Sequence, residues 1–185
     1  MTDSGGSGSA KAPAGTLHPD LAVTLAHVYG PYGFTWSAPR PEAESADYGA
    51  YTLVLNGSPI CFRVAKTTPT KIGQFVTLWK RLGKGPIQPF DASDRVDYFV
   101  VVTRTAAHCG QFVFPTSVLC DHGIVSTHGV GGKRAMRVYP PWDTTTSRQA
   151  QATQRWQLEF FLDLAPGLAR DGSRIHQLYG HQSDL

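Results

Sequence analysis

Apolar residues recur along this chain in two rhythms, a helical one toward the ends and a strand-like one through the middle. Leu17, Leu21, Leu25 and Val28 stand at helical spacing, Pro19 and Asp20 suit a first turn, and Gly30-Pro31 stops the run, so a helix is expected from about His18. Tyr48 to Leu55 and Ile60 to Lys66 read as strands joined at Asn56-Gly57, a strong hairpin signal. Gln74 to Trp79 is a third strand, closed by Gly83-Lys84-Gly85-Pro86. Tyr98 to Thr103 is so continuously apolar that it predicts a central strand buried on both faces. Gln111 to Phe114 is a shorter strand, Pro115 opens a brief helix through Cys120, and Ala135 to Tyr139 reads as the last strand. After the corner Pro140-Pro141-Trp142-Asp143, a long helix capped by Asp143 or one of Thr144–Thr146 is expected to reach about Leu164, where Pro166-Gly167 ends it.

These elements predict an α/β fold, a single mixed sheet with flanking helices. Residues 1–16, rich in Gly, Ser and Ala, are expected to be a disordered tail; 17–165 form the domain; 166–185 are expected to be a poorly ordered second tail. No run approaches the length of a membrane span and no secretory leader pattern opens the chain, so no membrane partner is expected and a cytoplasmic protein is the default. Three cysteines, Cys61, Cys109 and Cys120, cannot all pair internally, which suits a reducing compartment.

Charge changes the picture more than composition does. The net charge is only +3, but the 43 residues from Tyr48 to Phe90 hold no Asp or Glu and six bases: Arg63, Lys66, Lys71, Lys80, Arg81 and Lys84. A second acid-free window between Asp121 and Asp143 holds Lys133, Arg134 and Arg137. Acids collect instead in Glu42–Asp47, in Asp91–Asp97 and in the C-terminal third. One-sign charge displayed from folded strands attracts polyanions and holds phosphates. The expected nucleic-acid ligands are therefore Arg63, Lys66, Lys71, Lys80, Arg81, Lys133, Arg134 and Arg137, with Trp142 as a base-stacking candidate. Lys66 also reads as a plain solvated strand end, and Trp142 as an anchor of the proline corner. His108-Cys109, Cys120-Asp121-His122 and His128 lack the spacing of a structural zinc site, so no metal is expected. Gly129 to Lys133 lacks the spacing of a phosphate-binding P-loop.

Together these segments resemble the MepB family from about Tyr48 to Leu164. The resemblance is carried by Arg63-Val64-Ala65-Lys66-Thr67-Thr68-Pro69-Thr70-Lys71, by Gly73-Gln74-Phe75-Val76-Thr77-Leu78-Trp79-Lys80-Arg81, by Gln111-Phe112-Val113-Phe114-Pro115, by Lys133-Arg134 and by Arg137-Val138-Tyr139-Pro140-Pro141-Trp142-Asp143. It implies a restriction-endonuclease-like fold, whose active members carry an Asp and a Glu-x-Lys on adjacent strands. Val64-Ala65-Lys66 matches the Glu-x-Lys position with Val64 in place of the metal-binding Glu, which implies a protein that binds DNA or RNA, with low sequence specificity and without a cofactor, and does not cut it. The alternatives are an active Mg²⁺ nuclease with a rearranged site built from Asp47, Glu44 and Lys66, and a module that meets an acidic protein or a small ligand.

Overall fold

A computed structural model of the chain describes residues 16–166 and 171–180; the expected N-terminal tail lies outside the described residues, apart from Thr16. The first helix, α1 (Pro19–Thr24), starts where His18 Nδ1 accepts the Asp20 N–H, and continues as a π turn (Leu25–Tyr29) and a 3-10 turn (Gly30–Tyr32). A two-residue strand β1 (Arg40–Pro41) and a 3-10 segment (Ala43–Tyr48) lead to the hairpin of β2 (Tyr51–Leu55) and β3 (Ser58–Val64). Asn56 and Gly57 both turn it at positive φ, 48° and 88°, the geometry a two-residue hairpin loop demands. The chain then forms β4 (Lys66–Thr68), β5 (Lys71–Thr77), β6 (Trp79–Arg81) and β7 (Ile87–Pro89) before the central strand β8 (Tyr98–Arg104). β9 (Cys109–Pro115), α2 (Thr116–Asp121), β10 (Ala135–Val138), α3 (Arg148–Leu158), β11 (Phe161–Asp163) and α4 (Gly172–Tyr179) complete the order.

The main sheet is six-stranded and mixed, ordered β1-β2-β3-β8-β9-β11, with β3 and β8 the parallel pair. A parallel neighbour requires a crossover. Here the crossover carries no α-helix; it carries β4 to β7, which fold into a three-stranded sheet (β10-β5-β4) and a two-stranded one (β6-β7) beside the main sheet. The mixed α/β architecture is as expected, with two small antiparallel sheets added.

Both faces of the main sheet are covered, because β3, β8 and β9 alternate two apolar sets. Phe62, Val64, Val100, Val102 and Val113 face a core shared with α1 and α4. Cys61, Phe99, Val101, Phe112 and Phe114 face a second core completed by Val76, Met136 and Val138 of the small sheet and Leu119 of α2. The small sheet thus forms a third layer with one side inward, and its other side is where the candidate site lies.

Three expectations are corrected. The helix after the proline corner, α3, stops at Leu158 and is capped by Ser147, whose Oγ accepts the Ala150 N–H at 3.1 Å; Asp143 is instead folded back on Pro140 O and Thr145 is bonded to Gln154. Phe161 to Asp163, expected in that helix, pair with β9, because alternation sends Phe161 into one core and Leu162 into the other. Gly110 makes this edge pairing fit, since a Cβ there would lie 2.1 Å from the Phe161 ring. Ala135 to Val138 is therefore not the last strand. Residues 171–180, expected in a poorly ordered tail, form α4: Ile175, Leu178 and Tyr179 are buried, and Tyr179 Oη is bonded to Tyr29 Oη (3.0 Å) and accepts from Gln111 Nε2 (2.9 Å). Burial pushes both tyrosine hydroxyls up, so they act as neutral hydrogen-bonding groups.

Candidate nucleic-acid interface

The acidic patch before β2 folds directly onto the acid-free window after it. Glu42 pairs with Arg63 (Oε2 to Nη1, 2.5 Å), Glu44 with Arg81 (Oε2 to Nε, 2.7 Å) and Asp47 with Lys66 (Oδ2 to Nζ, 4.0 Å). Asp94, from the next acidic cluster, pairs with Lys80. Part of the basic window is therefore neutralised from within.

Arg63, expected among the phosphate ligands, is the clearest correction. Its side chain is 1% exposed, it points to the second-core side of β3 with Cys61, and its Nη1 donates to Phe62 O as well as meeting Glu42. A buried charge is tolerated only with a counter-charge, and Glu42 supplies it. The neighbouring Cys61 thiol is pushed up to about 12 by burial, which makes it a packing residue and not a nucleophile. Lys80 and Arg81 are committed to carboxylates, and Arg81 also donates to Gly85 O at 2.7 Å across the β6–β7 turn. Lys71, Lys84, Lys133 and Arg134 make no ion pair among the described residues.

The small sheet itself carries Lys66, Lys71 and Arg137. Its register pairs Lys66 with Phe75 and Phe75 with Arg137, so the three side chains stand in one line across β4, β5 and β10. Arg137 has no carboxylate partner among the described residues; it donates to Gly73 O (3.1 Å) and Thr68 Oγ1 (2.8 Å), and its guanidinium lies 5.9 Å from the Phe75 ring centre. Lys71 pairs with Thr68 at the adjoining turn. Gly73 is required here, because φ is +83° and a Cβ would lie 2.6 Å from the Tyr139 ring.

Beside β10 runs a groove of about 340 Å³, bordered by Lys133, Arg137, His122, Trp156, Tyr139 and Gln149. Gln157, fully buried, closes part of the strand's free edge: its Nε2 donates to Arg137 O and its Oε1 accepts the Tyr139 N–H, both at 2.9 Å, the two bonds a neighbouring strand would have made. The Gly-rich loop before Lys133 is pinned by Asp91, which accepts from Gly129 N–H (2.9 Å), Ser126 Oγ (2.7 Å) and Ser93 N–H (3.1 Å). These bonds, Gly129's foremost, hold the Asp91 carboxyl well below the usual carboxylate range. Trp142 stacks on His108 (5.0 Å between ring centres) and meets Phe161 edge-on, so its place is that of a corner anchor, with one ring face already covered.

A Mg²⁺ site does not fit these residues. Val64 packs in the first core while Lys66 belongs to the small sheet, so the two do not line one catalytic face. Glu44 and Asp47 are turned to different cations, and among the described residues no three His, Cys, Asp or Glu side chains converge as metal ligands. His108 and His122 are each stacked on a tryptophan, Trp142 and Trp156.

Sequence reasoning passed over Tyr48 and Phe75, the aromatic members of this surface. Alternation along β5 was the available signal: with Gln74 and Val76 inward, Phe75 has to face outward.

Comparison with known proteins agrees with the fold. A family model described as MepB-like matches residues 42–163. A solved structure titled "Crystal Structure of MepB" is 30% identical, with a TM-score of 0.69, over 78% of this chain and 95% of that one. No curated protein matches the chain. With the family model spanning more than half of the sequence, and with β2 to β11 all inside that span, the chain belongs to the MepB-like family.

Proposed function

We propose that this protein binds nucleic acid, DNA or RNA, through the outer side of the three-stranded sheet and the groove beside it, and that it does so without cutting the strand. One observation carries the reading: Lys66, Arg137 and Lys71 stand together on this sheet with Lys133 on the border of the groove, and the carboxylate paired with Lys66, Asp47, is 4.0 Å away and 89% exposed. So exposed a pair is worth little and is readily exchanged for a phosphate. Arg63 is left out of the ligand set because it is buried. Lys80 and Arg81 come second, since a phosphate must compete there with Asp94 and Glu44. Phosphate contacts of this kind position a strand without reading it, so weak sequence preference and steep salt dependence follow. The restriction-endonuclease-like ancestry implied by the family resemblance is part of the same proposal, with Val64 supplying no metal oxygen and Lys66 turned to the small sheet as a phosphate ligand.

The test is fluorescence anisotropy of labelled DNA and RNA over a salt series, first with EDTA and then with Mg²⁺, followed by a denaturing gel. Salt-sensitive binding with intact strands supports the proposal, and the Lys133→Ala/Arg134→Ala double variant should then flatten the salt slope more than Lys80→Ala/Arg81→Ala. Strand cuts that need Mg²⁺ would replace it with the nuclease reading; absence of binding at low salt would refute it.

A further inference from the structure

The line across the small sheet holds more than charge. Tyr48, the last residue of the 3-10 segment, lies beside Phe75 with ring centres 6.3 Å apart and planes inclined by 60°. Lys66 Nζ stands 4.7 Å above the Tyr48 ring, and the Arg137 guanidinium flanks Phe75 on the other side. Lys66 and Arg137 flank Phe75 on the neighbouring strands and Tyr48 touches both Lys66 and Phe75: two partly buried rings between two cations.

Phe75 is not needed by the core on its inner side. Gln74 and Val76 fill the inward positions of β5, and the core beneath is completed by Val76, Met136 and Val138. A ring only partly buried gains less from burial than an inward one, and beside the Arg137 guanidinium its exposed part is π surface that any base can stack on. Arg137 is held by Thr68 and Gly73 in a fixed orientation, so little side-chain entropy is lost when a ligand arrives.

We infer that this row is a base-stacking platform for single-stranded nucleic acid, with bases on Phe75 and Tyr48 and flanking phosphates on Lys66, Arg137 and Lys71. The inference rests on the binding function proposed above and names its substrate class. A duplex keeps its bases inside the helix and offers the rings nothing but its backbone; a single strand splays bases outward onto aromatic side chains. Preference for single strands therefore comes from the rings, and salt dependence from the cations.

The experiment compares labelled single-stranded DNA and RNA with the corresponding duplexes, using the parent chain, Phe75→Leu and Phe75→Trp at fixed salt and then over a salt series. Leucine keeps apolar volume without a π face, and tryptophan restores one; unfolding midpoints identify any variant that is misfolded. Phe75→Leu should weaken single-strand binding by roughly tenfold, leave duplex binding and the salt slope unchanged, and be rescued by Phe75→Trp. Salt-dependent binding that is insensitive to Phe75→Leu, or reduced equally for single strands and duplexes, would overturn the platform and leave the general binding function standing. Absence of salt-dependent binding to any strand would overturn both.

Discussion

The main sheet and the small sheet meet in the run from Phe62 to Thr68, and they treat the same kind of residue in opposite ways. Arg63 and Lys66 are three positions apart on nearly continuous extended backbone. Arg63 lies where the main sheet is covered on both faces, and is buried against Glu42. Lys66 lies where the small sheet is covered on one face, and is half in water over Tyr48. The lesson is that a basic residue's chemistry is set by the layer above it, not by its place in a run of charge. In the doubly covered sheet a cation is structural; on the singly covered one it is free to meet a ligand.

The sharpest way to break this comparison is to remove each cation's counter-charge. Glu42→Ala leaves the Arg63 guanidinium buried and uncompensated, and should cost about 3–5 kcal/mol in chemical denaturation. A loss below about 1 kcal/mol, the range of exposed pairs, would show that Arg63 reaches water and erase the distinction. Next comes the edge of the small sheet. Gln157→Leu orphans Arg137 O and the Tyr139 N–H, at a cost of roughly 2–4 kcal/mol, with amide exchange accelerated in β10 and α3 ahead of the main sheet.

A smaller effect tests the proline corner under the small sheet. Burial raises the Asp143 carboxyl above its ordinary value of 3.8, against a lowering bond from the Gly73 N–H. The folded state therefore holds that proton more tightly than the unfolded chain. The cost of ionising it in the fold is absent below about pH 3.8, grows as pH rises toward the folded pKa and is full above it. Asp143→Asn should be more stable than the parent at pH 7, with the difference vanishing toward pH 3; equal melting curves at both would remove the burial argument. The smallest effect is expected at Lys66. Lys66→Gln should shift stability by under about 0.5 kcal/mol while lowering nucleic-acid affinity, the reverse of the Glu42 result.

Much of this fold was legible in the residues. The Asn56-Gly57 hairpin, the central apolar strand and the first helix each rest on local rules, and each stands where those rules put it. Phe160-Phe161-Leu162 was misread because an apolar run satisfies both helical and alternating periods, and the choice fell to Gly110, which leaves room for the Phe161 ring on the edge of β9. α4 had a readable signal in Ile175, Leu178 and Tyr179 behind Asp171, but so short a helix is stable only through docking, here onto Tyr29 and Gln111.

For the candidate site, composition marks a basic stretch of chain and not which of its side chains lie clear of carboxylates. Periodicity, turn chemistry and the acid-free window are written into neighbouring residues, so the sequence by itself determined the hairpin, the central strands β8 and β9, the family and a basic character between Tyr48 and Phe90. Which cations stay free was decided by the tertiary structure alone. It brings Glu42, Glu44 and Asp94 onto Arg63, Arg81 and Lys80 across 21, 37 and 14 positions of chain, and lines up Lys66, Phe75 and Arg137 from three separate strands. Burial and pairing depend on distance in space, and spacing along the chain does not encode it.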